Sequence, residues 1–335
     1  MSVDLWIWAA TIAAIIAFFV FDFYTHVRIP HAPTIKESAW WSAFYIAVSI
    51  VFGIGVWIVW GSTHGTEFFA GYVTEKALSV DNLFVFLIIM SSFAVPREFQ
   101  QKVLTIGVVI ALVMRGIFIA LGAAVIEEFS WVFYIFGAFL IYTAWKLSRE
   151  KGHEDEAEEG YDNAFLRFVQ RVLPTTDQYH GDRFSVVLNG KRFITPLAIV
   201  ILAIGSADLL FAFDSIPAIY GLTQEPYIVF TANAFALMGL RQLYFLLGGL
   251  LERLVYLSAG LAFILGFIGL KLIFHAMHVN ELSFINGGEH ISWAPEIPTW
   301  LSLLVIIGTI AIAAVASLLK TRADARNAAV ETSAH

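Results

Sequence analysis

The sequence predicts an all-α polytopic membrane protein with about nine transmembrane helices and two inverted three-helix repeats. Three observations lead there. Hydrophobic residues make up 59% of the 335 residues and charged ones 14%, with a mean hydropathy of +0.76, whereas soluble domains carry about 25% charged residues. Apolar runs near the length that crosses a hydrocarbon core of about 30 Å, roughly 20 residues, recur about nine times. Inside those runs one acidic pattern occurs twice.

Taken in order, runs at 5–24 and 40–60 make an N-terminal pair within 1–63. The opening Met-Ser-Val-Asp has no basic n-region and no small-residue cleavage site follows the first run, so the first span is expected to be retained rather than removed as a signal peptide. Runs at 68–93, 103–125 and 131–147 form a three-helix unit over 64–148. The charged interval 149–193 reads as a cytoplasmic loop with a solvated acidic run at 154–159. Its end, with Asn189-Gly190 between short apolar segments, predicts a β-hairpin with a tight turn. Runs at 194–220, 227–250 and 255–275 form a second three-helix unit over 194–278. An outer loop and a ninth span at 300–319 complete 279–319, and 320–335 is a cytoplasmic tail, expected to fray and then lose order. Trp40, Trp41, Trp57, Trp60 and Trp131 lie near span ends, where aromatic side chains anchor at the interface.

Basic residues orient the set, because cytoplasmic loops collect Lys and Arg. They follow the first, third, fifth, seventh and ninth spans, from Arg28 and Lys36 to Lys320 and Arg322, and are missing after the others. The N-terminus is therefore placed outside and the C-terminus in the cytoplasm. A net charge of −7 argues against nucleic acid as a partner, and zero cysteines exclude disulfides and thiolate chemistry.

The repeated pattern is Glu75-Lys-Ala-Leu-Ser-Val-Asp81-Asn82 and Asp208-Leu-Leu-Phe-Ala-Phe-Asp214-Ser215. Further on, Arg115 answers Arg241, each ten residues after a threonine (Thr105, Thr231), and Lys146 and Lys271 close the two units. Three spans is an odd number, so the second copy crosses the membrane in the opposite sense. Transporters built this way place their site near the midplane where the copies meet, often on broken helices.

An ionised side chain in hydrocarbon costs roughly 2.5–3.5 kcal/mol on insertion scales, so four intramembrane carboxylates need a purpose. Glu75 shares a helical face with Asn82, and Asp208 with Ser215, Ser79 lying close to the first stripe. Pro217 is expected to kink or unwind its helix and free carbonyls near Ser215. Carboxylates, an amide and hydroxyls are hard oxygen ligands for Mg²⁺, Ca²⁺ or Mn²⁺. Arg115 and Arg241 are expected to pair with part of the acidic set; the structural alternative is that they and Lys76 neutralise the acids in ion pairs, though four acids against three bases leave at least one carboxylate over. Clustered carboxylates left without metal would hold protons, which makes proton-for-metal exchange the natural reaction. No permanently bound cofactor is expected. His275, His278, Glu289 and His290 offer either an outer metal station or plain interfacial contacts. Signatures for ATP binding, serine hydrolysis and zinc proteolysis are missing from the sequence, which favours a carrier over an enzyme, an intramembrane aspartyl-type enzyme being the catalytic alternative.

The segments Gly71-Tyr-Val-Thr-Glu75-Lys-Ala-Leu-Ser-Val-Asp81-Asn82, Phe211-Ala-Phe-Asp214-Ser215-Ile-Pro217 and Gly239-Leu-Arg241-Gln-Leu-Tyr resemble the TerC/Alx family of bacterial membrane proteins, from about the first span to the eighth. The resemblance implies a bacterial plasma-membrane manganese exporter, with Mn²⁺ as substrate, protons as counter-ion and Glu75, Asp81, Asn82, Asp208, Asp214 and Ser215 as the metal site. The family name refers to tellurite resistance, which suggests a sensor or scaffold in metal or tellurite stress as the alternative. Many relatives carry a glutamate three residues before the first aspartate of the second motif, where this chain has Gly205. Asp22 matches an acidic position of relatives, acting either as a gate or outer-shell group or as a residue snorkelling to the headgroups.

Overall fold

A computed structural model describes residues 1, 3–27, 33–129, 131–149, 174–176, 178–188, 191–247, 256–282, 285–286, 289–291 and 293–333. Helix α1 (Leu5–Asp22) runs into a short π-helical turn, Phe23–Val27. Then come α2 (Ile35–Trp60), α3 (Ser62–Ser92), α4 (Arg97–Glu128) and α5 (Val132–Arg149). The strands β1 (Ser185–Leu188) and β2 (Lys191–Ile194) lead to α6 (Pro196–Tyr220) and α7 (Pro226–Leu237). The chain continues through α8 (Leu240–Leu247), α9 (Leu257–His278) and α10 (Thr299–Ser333).

Helix is what a bilayer imposes, since every backbone polar group must be satisfied within the segment. Local residues set the ends. Thr34 and Glu37 form a reciprocal capping box for α2, and Pro196 and Pro226 stand at the first turns of α6 and α7, where a missing N–H costs nothing. Among the described residues, seven segments are long and apolar enough to cross a membrane. The other two long helices, α3 and α5, are those diluted by charge, Glu67, Glu75, Lys76 and Asp81 on α3 and Lys146 and Arg149 on α5. The chain is an all-α polytopic membrane protein, and each of the nine expected runs lies mostly on helix among the described residues.

The packing pairs the two units crosswise. α3 lies on α7, α4 on α6, and α5 on α9, so first helix meets second, second meets first, and third meets third. The α5–α9 crossing is self-complementary. A Cβ on Gly137 would stand 2.8 Å from the Gly269 carbonyl and 3.2 Å from Ile273 N, while one on Gly269 would stand 2.8 Å from the Gly137 carbonyl and 3.1 Å from Ile141 N. Such an exchange of equivalent contacts is what a two-fold relation produces, and its antiparallel sense is that of an inverted repeat. Gly137 thus answers Gly269, and nine residues on in each helix stand Lys146 and His278. The expected match of Lys146 with Lys271 is corrected accordingly.

Two further expectations change. α6 stays helical through Pro217 to Tyr220, because the proline sits in the last turn, where few backbone bonds remain to be lost, and Tyr220 Oη is anchored on the Ile119 carbonyl at 2.8 Å. The broken span is the next one. α7 ends at Leu237 and α8 starts at Leu240, with Gly239 at φ +77° between them. The tail also remains helical to Ser333. The hairpin is present, with Leu188 opposite Lys191; Asn189-Gly190 and the acidic run 154–159 lie outside the described residues.

Candidate functional site

Arg115 organises the centre. Its guanidinium is fully buried and forks onto Asp208 of α6, with Nε to Oδ2 and Nη2 to Oδ1 both at 3.0 Å. Nη1 donates to Glu75 Oε1 of α3 and to Ser215 Oγ at 3.2 Å, and Ser79 Oγ donates to Glu75 Oε1 at 3.3 Å. One acid from each repeat therefore meets on a single cation. Small residues let the three helices close: a Cβ on Gly71 of α3 would stand 3.4 Å from Ile219 of α6, and one on Gly107 of α4 would strike Ile204 of α6 at 2.7 Å. Gly205 belongs to the same seam, where a Cβ would lie 3.3 Å from Ile110, so a glutamate there would push against α4. Two carboxylates against one guanidinium leave a formal negative charge over. Glu75 Oε2 is buried with no hydrogen-bond partner, an atom that normally costs about 1–3 kcal/mol to leave unsatisfied.

Beside this cluster lies a cavity of about 500 Å³ lined by Asn82, Thr143, Lys146, Asp214 and Ser215 among apolar side chains. Thr143 Oγ1 donates to Asp214 Oδ1 at 3.2 Å. Ser215 belongs to both places, touching Arg115 and lining the cavity. The two acidic motifs are thus split between a closed ionic cluster (Glu75, Asp208, Ser215) and a polar cavity (Asn82, Asp214). Asp81 is on α3 next to Asn82, and its side chain lies outside the described residues, as does its expected convergence with Asp214. Among the described residues no three His, Asp or Glu side chains are grouped as a ready-made metal site.

Asp22 is buried rather than snorkelling. Its Oδ1 accepts from Tyr45 Oη at 2.7 Å, Arg241 Nη2 at 2.7 Å and Gln242 Nε2 at 3.2 Å, and Arg241 Nη1 reaches Thr105 Oγ1 at 3.2 Å. Arg241, expected on the repeated acids, is bound instead to a helix outside the repeats. Lys76 likewise turns to backbone, donating to the Ala236 and Met238 carbonyls at 2.8 and 3.1 Å and so capping the C-terminal end of α7, where cations are favoured. Sequence reasoning missed Thr143, Tyr45 and Gln242; nothing in their spacing marks them, since each reaches its acid from another helix. At the far end of α9, His275 Nε2 lies 2.5 Å from Gln224 Nε2, and His278 lines a neighbouring pocket with Lys271 and Glu296.

A polytopic helical membrane protein with buried acids from two crosswise-packed halves is the class this architecture defines. The chain matches the model of the integral membrane protein TerC family over residues 60–325 and belongs to that family. It is 50% identical over 323 residues to an uncharacterized membrane protein of Mycobacterium tuberculosis (strain ATCC 25618 / H37Rv), covering 96% of this chain and 81% of the relative. A further uncharacterized membrane protein, from Myxococcus xanthus, is 40% identical over 316 residues, 94% of this chain and 93% of the relative. The putative membrane-bound redox modulator Alx of Escherichia coli (strain K12) is 42% identical over 254 residues, 73% of this chain and 78% of the relative. No solved structure matches the chain.

Proposed function

We propose that the protein is a plasma-membrane divalent-cation carrier that expels Mn²⁺ in exchange for protons, with its N-terminus outside and its C-terminus in the cytoplasm. The observation that carries this reading is the meeting of Glu75 and Asp208, one from each repeat, on one guanidinium beside a cavity that reaches them through Ser215. A purely structural bridge would balance its charges. Here the excess negative charge and the orphaned Glu75 Oε2 leave room for a second cation or a proton to complete the set.

Asp214, Asn82, Thr143 and Ser215 supply hard oxygen donors along the cavity, suited to Mn²⁺, Mg²⁺ or Ca²⁺; the choice of Mn²⁺ rests on the family resemblance. Arg115 acts as a tethered counter-cation. It holds the carboxylates while the carrier is empty, and an arriving ion competes with it for the same oxygens. Access then alternates as one three-helix unit moves against the other. Moving two charges outward against an inside-negative potential costs about 4.6 kcal/mol per 100 mV, which proton entry on the vacated carboxylates offsets. The name of the Escherichia coli relative points to redox modulation; a chain without cysteine has no thiol with which to do it.

Purified protein in liposomes, with Mn²⁺, Ca²⁺, Mg²⁺, Zn²⁺ and Fe²⁺ offered in turn under a pH gradient, tests the reading. Mn²⁺ flux that moves protons the other way is expected, with Asp214→Asn and Asp81→Asn folded and inactive. Folded wild-type protein that moves none of these ions would discard the carrier in favour of a sensor or scaffold.

A further inference from the structure

The hairpin and the seam between α4 and α6 border an open lateral groove of about 570 Å³, lined by Ile106 of α4, by Ala198, Ile201 and Leu202 of α6, and by Phe184 and Arg192 at its mouth. Its walls are apolar and belong to membrane-spanning helices. Ile106 is nine residues into α4 and Leu202 six into α6, so the groove runs about 9–14 Å inward from the helix ends, at 1.5 Å per residue. That depth is close to one leaflet of a hydrocarbon core about 30 Å thick.

The mouth is polar and basic. Strand register places Ser185, Val187, Arg192 and Ile194 on one hairpin face, and three of these, Ser185, Arg192 and Ile194, line the groove. Arg192 Nε donates to Ser185 Oγ at 3.1 Å, which fixes the guanidinium and leaves both terminal nitrogens without a partner among the described residues. Val187, on the same face, is 68% exposed. Lys102 is already neutralised by Asp182 at 2.7 Å and stacks over Phe184; that hydrogen bond also lowers the Asp182 carboxyl below the usual carboxylate range. Lys191 and Arg192 carry charge with no acidic partner among the described residues, whereas Arg183 stands beside Asp182.

We propose that this groove is a binding site for one anionic phospholipid, its acyl chain along Ile106, Ile201 and Leu202 and its phosphate on Arg192. Charge complementarity selects the occupant: a zwitterionic lipid would find the apolar walls equally good and offers the same phosphate, but its own cation competes with the guanidinium held over the opening, whereas an anionic headgroup leaves its phosphate charge free for it. The basic loop also places the site in the leaflet where anionic lipids concentrate. The site stands apart from the ion cluster and from the carrier reading, although it abuts the α4–α6 seam that holds Arg115 and Asp208.

The test uses full-length protein stripped of lipid in a neutral detergent, titrated with phosphatidylglycerol or phosphatidylcholine while thermal unfolding is followed. Phosphatidylglycerol at about ten times its Kd is expected to raise the melting temperature by about 3 °C, and phosphatidylcholine by less. Arg192→Gln removes the difference between the lipids, Leu202→Trp, which fills the groove from its lipid-facing side, removes it independently, and Arg149→Gln on α5 keeps it. Equal shifts from the two lipids in the wild type, or an undiminished difference in Arg192→Gln, would overturn the proposal.

Discussion

Arg115 and Arg241 occupy corresponding places in the two repeats and live in different surroundings. Arg115 sits within an unbroken 32-residue helix and bridges an acid from each repeat. Arg241 follows a break and pairs with Asp22, a residue of neither repeat. Were the two-fold relation complete, Arg241 would face Glu75 as Arg115 faces Asp208, and two acids would be cancelled by two bases. Diverting Arg241 leaves the cluster one positive charge short. The departure from symmetry is therefore what leaves the buried bridge with a formal negative charge over, the feature on which the proposed cation site rests.

The sharpest way to break this comparison is to remove each arginine in turn. Arg115→Ala strands two buried carboxylates and is expected to cost about 3–5 kcal/mol, the range for breaking a buried pair, read as a lower unfolding temperature in detergent and loss of folded yield. Arg241→Ala is expected to cost less, about 1.5–3 kcal/mol, because Asp22 keeps its donors Tyr45 and Gln242. Equal losses would mean that the two arginines do the same work. Combining Arg241→Ala with Asp22→Asn sharpens the point: the pair is local, so the double variant should lose less than the sum of the singles.

A test of what remains symmetric comes from the α5–α9 crossing. Gly137→Ala and Gly269→Ala each drive a methyl group into the opposite backbone, and overpacking of this kind costs about 1–3 kcal/mol. The two losses should agree, and the double variant should fall short of their sum, since the first methyl already parts the helices. Unequal losses would place the two-fold axis elsewhere.

Much of this was legible in the chain. The helical membrane fold and the hairpin follow from hydropathy and Asn189-Gly190, because a bilayer converts apolar length directly into helix, and the meeting of Glu75 with Asp208 follows from the repeated acids. Asp208 and Ser215 were legible as a pair, because spacing by seven shares a face, and Glu75 joined them as the matching acid of the first motif; the same spacing paired Glu75 with Asn82, which lines the cavity instead. Partner choice was not. Whether Arg241 reaches Glu75 or Asp22 depends on a change of direction at a single glycine, and a neighbour such as Thr143 or Tyr45 arrives from a helix distant in sequence. Pro217 drew the expected break because proline always lacks a donor, yet its cost depends on how much helix follows it. Gly239 carried the stronger signal: a glycine in mid-span, with a lysine in the opposing repeat able to cap the carbonyls it frees.

That signal yields the last and smallest prediction, and one whose sign decides. Gly239 stands two residues before Arg241, and the matching place before Arg115 is Val113. At φ +77° an L-residue is strained, by about 1–2 kcal/mol, and the new Cβ would also meet Tyr45 at 3.0 Å. Gly239→Ala should therefore destabilise. In an unbroken helix the same change would stabilise by about 0.5–1 kcal/mol, so a rise in unfolding temperature would mean that α7 and α8 are continuous and that Arg241 follows the path of Arg115. Lys76→Met separates the two outcomes further. With the break in place it uncovers the Ala236 and Met238 carbonyls and loses stability. With a continuous helix those carbonyls are already satisfied within the backbone, and removing a lysine from the bilayer interior should help.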